Sequence, residues 1–467
     1  MTTSSVSTRP LSFKGHLRAV LGLGLPLIGG HLAQYAIGFT DTVMMARYGV
    51  DEVAALVLAT SVFFVLFIAG SGFAWAVMPI VASSAGTNDD AQVRRVTRMG
   101  IWISILFGLF TMPIMIWSEP ILIAIGQDPH LAELAQSYAR IAVLGLIPAL
   151  ILMVLKSYLA ALERTQIVLW VTVGMVIINA ISNNALIFGN WGAPELGVRG
   201  AAISSVVIQV SGMIAVIVYA AKVTPQYTLF QRFWRPDWEA FGRVFTLGWP
   251  ISLTGLAEVG LFTASIIMVG WVGTNELAAH GIVLNLSSAT FMVHVGLSNA
   301  ATIRAGQAYG QVDEAHLRLG AKAVTLLSLV FAGLTMAVFI LFPAFLMDQV
   351  IGPNEIARDE IVRIGVVLFF LSALFQFGDA AQAIALGLLR GVQDTRAPMI
   401  IAAISYWIVG APLGYVLGFV IGWDEVGVWI GLVVGLFVAG GLLMHRFWKR
   451  SVLLTASRVS SEIEATP

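Results

Sequence analysis

Twelve long apolar runs divide this chain, and they limit its fold more than any other feature. Each run holds about 20 or more residues, enough for one helix to cross roughly 30 Å of hydrocarbon. Because lipid offers no partner for exposed backbone N–H and C=O groups, such runs are expected to cross as α-helices. The predicted spans are residues 17–45, 53–77, 97–117, 134–157, 165–189, 196–220, 244–270, 277–301, 318–342, 360–387, 396–420 and 424–447.

The composition supports a membrane location. Hydrophobic residues make up 58% of the 467 residues, charged residues make up 11%, and the mean hydropathy is +0.88. That composition leaves too little polar surface for a soluble globule. The N-terminal residues show no compact apolar stretch followed by a small-residue cleavage site, so we interpret them as a tail and not a cleaved signal. The sequence predicts an all-α integral membrane protein.

Motifs for catalysis or cofactor binding are missing from the sequence. The chain has no cysteine, which excludes disulfides, thiolate metal sites and cysteine nucleophiles. It has no GxxxxGK[ST] phosphate loop, so ATP is not expected to supply energy here. Neither HExxH nor GxSxG occurs. We therefore predict no enzyme activity, no cofactor and no nucleic-acid partner, and we expect an ion gradient to supply the energy.

The first half of the chain is repeated in the second half. Leu23–Ala55 aligns without a gap with Leu247–Ala279. Six spans per copy is an even number, so both copies enter the membrane in the same direction. This predicts two six-helix bundles related by a pseudo-twofold axis along the membrane normal, with a cavity between them. Identical residues at this offset include the pairs Pro26/Pro250, Met44/Met268, Gly49/Gly273, Glu52/Glu276, Gly72/Gly296 and Gly86/Gly310.

The repeat and the loop charges predict domain boundaries and orientation. If the N-terminus is cytoplasmic, the loops on that side hold most lysines and arginines, among them Lys156, Arg304 and Arg390. The opposite loops are acidic, with residues such as Asp51 and Glu355. This bias places both termini in the cytoplasm. The predicted parts are a cytoplasmic tail 1–16, an N-lobe 17–221, a cytoplasmic linker 222–243, a C-lobe 244–447 and a cytoplasmic tail 448–467.

Three acidic residues lie inside predicted spans at positions from which their side chains are not expected to reach the water outside the membrane. They are Asp41 in the first span, Glu258 in the seventh and Asp379 in the tenth. A charged side chain at the centre of a span costs about 3 kcal/mol on insertion scales, so such residues are expected to face water or a partner. The repeat does not conserve them, because Asp41 aligns with Ser265 and Glu258 aligns with Gln34. The alternative for Asp41 is a solvated helix end.

Polar residues accompany each of these acids. Asn179 and Asn183 lie four residues apart on one helix face, although asparagines also join membrane helices without any transport role. Gln34 precedes Asp41 by two turns, on the same face, and Gln376 and Gln382 lie three residues to either side of Asp379. A further group, His31, His280 and His294, is interpreted as packing residues in preference to proton relays.

Several stretches resemble one transporter family. LGLPLIGGHLAQYAIGFTDTVMMARYG, LGWPISLTGLAEVGLF and FQFGDAAQAIALGLLRGVQDTRAPM are similar to segments of multidrug and toxic compound extrusion (MATE) transporters of the NorM-like branch. The resemblance covers essentially the whole chain. It implies a bacterial inner-membrane antiporter that exports cationic or amphipathic aromatic compounds in exchange for Na⁺ or H⁺. It also implies a V-shaped pair of lobes that alternates between inward and outward states.

The resemblance also assigns roles to the polar residues. Asp41 matches the N-lobe acid that couples the cation, Asn179 and Asn183 match its partners, and Gln34 and Tyr35 are further candidates. In the C-lobe, Glu258 and Asp379 match an acid pair, with Gln376 and Gln382 beside it. Sodium-coupled relatives carry a tyrosine where this chain has Phe375, and phenylalanine offers no oxygen to Na⁺. Candidate Na⁺ positions are Glu258, Asp379 and Asp41.

Other functions were weighed against drug export. A flippase for lipids or lipid-linked oligosaccharides, from the wider superfamily, predicts a basic cavity, whereas the candidate cavity residues here are acidic. A membrane enzyme or scaffold gives no reason for buried acids in both halves. The expected partners are small-molecule drugs or toxic organic cations, Na⁺ or H⁺, and the bilayer. Because one duplicated chain encloses its own cavity, a monomer suffices.

Overall fold

The computed structural model describes residues 11–352 and 357–453, and twelve of its helices are long and apolar enough to cross a membrane. Predicted residues in 1–10, 353–356 (with Glu355) and 454–467 lie outside the described part. The spanning helices are α1 Phe13–Ala46, α2 Val50–Gly86, α3 Asp90–Ile116, α4 Pro129–Ala161, α5 Thr165–Phe188, α6 Val198–Val223, α7 Trp238–Val272, α8 Thr274–Gln311, α9 Glu314–Leu341, α10 Arg358–Gly391, α11 Arg396–Val420 and α12 Asp424–Ser451.

All twelve predicted spans are present, and most helices are longer than predicted. Hydropathy marks only the apolar stretch, whereas polar residues that cap a helix extend it beyond that stretch. The Asp89 carboxylate accepts a hydrogen bond from Gln92 N over 2.9 Å at the start of α3, and Asp313 accepts one from His316 N over 2.9 Å at the start of α9. Asp89 and Asp313 occupy equivalent positions of the repeat, so both halves begin this helix in the same way.

The helices form two bundles, α1–α6 and α7–α12, with the same internal arrangement. In the N-lobe α4 packs against α2 and α6, and in the C-lobe the equivalent α10 packs against α8 and α12. These two helices are among the most buried spans. Asp379 therefore lies on a central helix of its lobe, whereas Asp41 lies on α1 and Glu258 on α7, the first helix of each lobe.

The two lobes touch through pairs of close contacts that the repeat relates to one another. A Cβ atom built on Gly72 would lie 2.4 Å from the backbone nitrogen of Ser252, and one built on Gly296 would lie 2.7 Å from the backbone nitrogen of Ile28. Ser252 is the repeat equivalent of Ile28, so these are two copies of one contact. Only glycine permits such close backbone approach.

A second pair of contacts repeats this pattern nearer the ends of α2 and α8. A Cβ atom on Gly86 would lie 3.0 Å from the carbonyl oxygen of Gln307, and one on Gly310 would lie 2.3 Å from that of Ser83. Ser83 and Gln307 are again repeat equivalents. The lobes are therefore related by a pseudo-twofold axis, and α1 and α2 meet α7 and α8 across it.

The close backbone contacts between the lobes, such as those at Gly72 and Gly296, lie in the half of the molecule that carries the linker. The guanidinium of Arg390 in α10 lies over the ring of Trp75 in α2, with 5.0 Å between the Arg390 Cζ atom and the ring centroid. Farthest from the linker, the Tyr35 hydroxyl donates a hydrogen bond to Asn285. The bundles thus form a V whose arms point away from the linker.

The connection between lobes runs from Thr224 to Asp237, so α6 and α7 extend into the predicted linker 222–243. Its end is tied to α3, because Arg95 donates to Asp237 over 2.5 and 3.0 Å. The Arg95 guanidinium beside Asp237 lowers the pKa of that carboxyl below its usual value. In the same way α1 extends into the predicted tail 1–16, and α12 extends into the predicted tail 448–467.

Three cations assigned to loops by sequence lie within helices. Lys156 belongs to α4, Arg304 to α8 and Arg390 to α10. Lys156 donates to the Thr172 hydroxyl over 2.9 Å, and Arg304 is 7% exposed. They were misassigned because each lies near the end of an apolar run, where hydropathy does not separate a loop from a last helical turn. They contribute no loop charge to the orientation bias.

Candidate functional site

The N-lobe acid is held by two asparagines of a neighbouring helix. Asn179 Nδ2 donates to Asp41 Oδ1 over 2.8 Å, and Asn183 Nδ2 donates to the same oxygen over 2.6 Å. Both asparagines are fully buried, and Asp41 is 9% exposed. Because α5 turns once between residues 179 and 183, both amides reach α1 from one face. The structure therefore brings together the three residues that the family resemblance grouped.

This arrangement leaves a carboxylate charge with neutral partners only. No salt bridge to Asp41 is present within residues 11–352 and 357–453. The amide oxygens of Asn179 and Asn183 are buried and unpartnered within the same ranges. Carboxylate and amide oxygens are the ligands that hard cations prefer. The site therefore has the charge and the donor types that a small monovalent cation requires.

Gln34 and Tyr35 do not join this cluster. Gln34 is exposed on α1, and Tyr35 directs its hydroxyl to Asn285 of α8 in the other lobe. A spacing of seven residues puts Gln34 and Asp41 on one face but separates them by about 10 Å along the axis. Tyr138 of α4 was not predicted; it lies within electrostatic range of Asp41 and forms a 3.1 Å hydrogen bond with Ser205.

The C-lobe acids form a second cluster, in which Asp379 is buried and Glu258 is half-buried. Glu258 of α7 lies beside Gln382 of α10, and Asp379 lies within electrostatic range of Glu258. Asp379 is 2% exposed and Gln382 is fully buried. Glu258 Oε1 and Asp379 Oδ2 are buried and unpartnered in the described part of the chain. Each carboxyl thus has one buried oxygen without a donor among the described residues. The pair is expected to share a proton or bind a cation, because burying both as anions is costly.

Two residues that precede Asp379 in α10 contact side chains of other helices. Gln376 accepts a hydrogen bond from the Thr290 hydroxyl over 3.1 Å. Phe375 is 2% exposed and packs against Phe262 and Trp429, with ring centroids 6.1 and 6.0 Å apart. Phe375 therefore lies in an aromatic cluster and offers the acids no ligand.

Two unpredicted residues lie near the C-lobe acids. Arg390 lies within electrostatic range of Glu258, and Tyr406 of α11 lies within range of Glu258, Asp379 and Arg390. The Tyr406 hydroxyl is buried and, within the described residues, unpartnered. Arg390 follows Asp379 by about three turns on one helix face, and this spacing is the signal that sequence reasoning missed. Tyr406 carried no such signal, because it comes from another helix.

The three intramembrane histidines each have a neutral hydrogen-bond partner. His31 Nε2 accepts from Asn299 over 2.9 Å, His294 Nδ1 lies 2.8 Å from the Ser328 hydroxyl, and His280 Nδ1 accepts from Trp429 over 3.0 Å. None of these partners is an acid. The contacts agree with a packing role.

Comparison with known families explains why the halves resemble each other. The sequence matches the MatE family over residues 26–184 and again over residues 250–416. The two matches begin at Pro26 and Pro250, which are repeat equivalents. Together they cover well over half of the chain. The chain belongs to the MatE family.

Curated MatE relatives match over nearly their whole length. A probable multidrug resistance protein NorM of Rhizobium meliloti (strain 1021) is 43% identical over 452 residues, which cover 96% of this chain and 97% of the relative. The protein of the same name from Agrobacterium fabrum (strain C58) is 42% identical over 441 residues, covering 93% and 94%. These relatives are named as resistance proteins of a transporter family, and this chain is a multi-pass membrane transporter and not an enzyme.

Solved structures share the fold at low sequence identity. An outward-facing multidrug resistance MATE family transporter superposes with a TM-score of 0.86 at 18% identity, covering 94% of this chain and 96% of the other. A eukaryotic MATE transporter superposes with a TM-score of 0.81 at 20% identity, covering 96% and 99%. The predicted all-α architecture of twelve spans in two six-helix bundles is confirmed.

Proposed function

We propose that this protein is a secondary active exporter of cationic or amphipathic aromatic drugs, driven by antiport with Na⁺ or H⁺. The observation that carries the proposal is a carboxyl site within the membrane spans of each lobe, with Asp41 in one and Glu258 and Asp379 in the other. Such residues are costly inside a membrane, and they persist where an ion or substrate uses them. The names of the NorM relatives supply the substrate class.

Cation and drug exchange through competition for these carboxyls. A bound cation neutralises a buried charge, and an organic cation has the same effect in the cavity between the lobes. Each ligand shifts the rocking equilibrium only by its difference in affinity for the two states. Exchange follows because one carboxyl site holds either the coupling ion or the drug.

The two sites favour different coupling ions. Asp41 has two asparagine oxygens nearby, which suits Na⁺. At the C-lobe site the side chain one turn before Asp379 is Phe375, packed among aromatic rings, so Glu258 and Asp379 are better suited to carry a proton. The residues that would hold Na⁺ in this proposal are Asp41, Asn179 and Asn183.

We further propose that the protein lies in a bacterial inner membrane as a monomer, with both termini cytoplasmic. The linker side is then the cytoplasmic side, and the V opens outward. A flippase for lipids or lipid-linked oligosaccharides is disfavoured because the ionisable residues proposed for the sites, Asp41, Glu258 and Asp379, are all acids. Transport of ethidium, measured against transbilayer movement of a fluorescent phospholipid, distinguishes the two functions.

The decisive experiment is transport in proteoliposomes with one imposed gradient at a time. Ethidium or norfloxacin efflux is measured under a Na⁺ gradient alone and under a pH gradient alone, for the unmodified protein and for Asp41→Asn, Glu258→Gln and Asp379→Asn. We expect at least one gradient to drive efflux, and each variant to slow it. Unchanged efflux in all three variants would show that the carboxyls do not couple transport.

A further inference from the structure

Four arginines line one pocket on the linker side of the molecule. The pocket lies between the start of α3 and the connection Thr224–Asp237, and its lining residues are Arg94, Arg98, Gln231, Arg232 and Arg235. Arg94 and Arg98 are one helical turn apart on one face of α3. The pocket is remote from the acids in both lobes, and the transport cycle described above does not use it.

The charges around this pocket are not balanced. The nearby acids Asp237 and Glu239 both form salt bridges with Arg95, which is not a lining residue. Arg98 lies within electrostatic range of Arg94, Arg235 and Asp237. Guanidinium groups repel one another at this range, so the cluster is unfavourable unless an anion joins it. The geometry therefore provides an excess of positive charge in a concave site.

Arg98 is the buried arginine of the pocket lining. It is 8% exposed, and its Nη1 donates to the backbone oxygens of Gln231 and Arg232 over 2.7 and 3.1 Å. These bonds fix the connection against α3, together with a 2.9 Å hydrogen bond from Arg94 to the Thr228 hydroxyl. Arg98 Nε is buried and unpartnered within residues 11–352 and 357–453. A buried, charged donor without a partner indicates a missing acceptor.

Two exposed tryptophans lie close in sequence to the pocket residues, Trp234 on the connection and Trp238 at the start of α7. Trp234 is 77% exposed and Trp238 is 74% exposed, and Trp102 of α3 donates to the backbone oxygen of Phe233 over 3.0 Å. Exposed tryptophans at the end of a membrane helix are typical of the headgroup level of a bilayer. Lipid phosphates occupy this level, whereas a site for a soluble anion requires no such tryptophans beside it.

We propose that this pocket binds the phosphate of an anionic phospholipid headgroup in the leaflet on the linker side. Planar guanidinium groups match phosphate oxygens and form short, charge-assisted hydrogen bonds with them. Arg94, Arg232 and Arg235 supply the contacts from the rim, and Arg98 supplies the buried positive charge beneath them. Because the pocket spans α3 of the N-lobe and the connection to α7, a bound lipid ties the two lobes together on this side.

The test is lipid binding measured by native mass spectrometry on the full-length protein in detergent. Dioleoylphosphatidylglycerol and dioleoylphosphatidylcholine are titrated separately. The pocket variant is Arg232→Gln/Arg235→Gln, and its matched control is Arg164→Gln/Lys222→Gln, which removes two exposed positive charges from the same side. We expect phosphatidylglycerol to bind about tenfold more weakly to the pocket variant than to the control. Phosphatidylcholine should bind both alike.

Three results would overturn the proposal. One is an equal loss of phosphatidylglycerol affinity in the pocket and control variants, which would show general charge attraction. Another is equal affinity of the unmodified protein for both lipids. A third is displacement of phosphatidylglycerol by an excess of inorganic phosphate, which would assign the pocket to a soluble anion. If the double variant does not fold, the single variants Arg232→Gln and Arg235→Gln, each compared with Arg164→Gln, give the same answer.

Discussion

The acids of the N-lobe and of the C-lobe lie in bundles with the same helix arrangement, but their carboxyl oxygens have different hydrogen-bond partners. Asp41 has a single carboxyl group, and one of its oxygens accepts hydrogen bonds from Asn179 and Asn183. Glu258 and Asp379 are two carboxyl groups, each with a buried oxygen that has no partner in the described part of the chain. Amide donors reduce the cost of a charge on Asp41, whereas two neighbouring carboxyls in the C-lobe disfavour a charge on both at once. The two sites therefore differ in their partners, and the roles proposed for them differ accordingly.

The largest effect is expected from Asp41→Asn. The N-lobe site then has no ionisable group, so ion-driven ethidium efflux should fall by about a hundredfold, which corresponds to about 2.7 kcal/mol in the rate-limiting barrier. Initial efflux rates in proteoliposomes measure this change. The matched control is Asn184→Ala, which removes a nearby polar group that bonds to Asn190 and not to Asp41. A fall in rate as large for Asn184→Ala would point to a general packing defect.

A smaller loss is expected when only one C-lobe acid is neutralised. In Glu258→Gln or Asp379→Asn, the remaining carboxyl still exchanges a proton, so efflux driven by a pH gradient should fall by about tenfold. The double variant should lose as much as Asp41→Asn. An equal loss of efflux in the single variants and in the double variant would show that both carboxyls are required together. The proposal that one carboxyl can still exchange the proton would then be wrong.

A still smaller effect tests whether the scaffold is as symmetric as the contacts suggest. An added methyl group at Gly72 or Gly296 meets backbone of the other lobe, so Gly72→Ala and Gly296→Ala should each lower stability by at least about 1 kcal/mol. The two losses should be similar. The control is Gly22→Ala, because a Cβ atom at Gly22 has no neighbour within 4 Å. The thermal unfolding midpoints of the three variants in detergent measure these losses. A lower midpoint for only one of the Gly72 and Gly296 variants would contradict the symmetry of the two contacts.

The smallest effect concerns the tie between α3 and the linker. Because hydrogen bonding with Arg95 lowers the pKa of Asp237, this pair stabilises the fold above the ordinary aspartate pKa of about 4. The contribution is lost as the pH falls through the lowered value. The pair is partly exposed, so its removal by Asp237→Asn should cost less than about 1 kcal/mol. Unfolding midpoints of both proteins should differ at pH 7 and converge in acid, whereas a difference that persists in acid would contradict the assignment.

The sequence predicted the fold well because membrane spans and the repeat are strong, local signals. The twelve apolar runs predicted the number of helices. The repeat, marked by identical pairs such as Pro26/Pro250, predicted the arrangement in two bundles. Helical spacing also predicted that Asn179 and Asn183 share one face, and the family resemblance linked them to Asp41, which their amides contact in the structure. The roles of these residues in transport stay predictions.

The other residues near the two sites could not be predicted in the same way. Their positions depend on contacts between helices, which the spacing of residues along one helix does not show. Tyr35 bonds to Asn285 across the lobes, and Tyr406 approaches the C-lobe acids from α11. Arg390 appeared to be a loop cation because hydropathy falls near the end of α10, yet it lies in the helix and stacks on Trp75. Sequence patterns describe one helix at a time, whereas these contacts depend on how separate helices pack.

The paired approaches at Gly72 and Gly296 amount to an isologous interface, of the kind that joins identical subunits in a dimer. Here Thr224–Asp237 connects the partners, so the assembly does not depend on protein concentration. In a true homodimer every substitution appears in both copies, and an acid at position 41 would have to appear twice. Joining the copies in one polypeptide removes that restriction. The chain keeps the geometry of a dimer while each copy carries its own set of acidic residues.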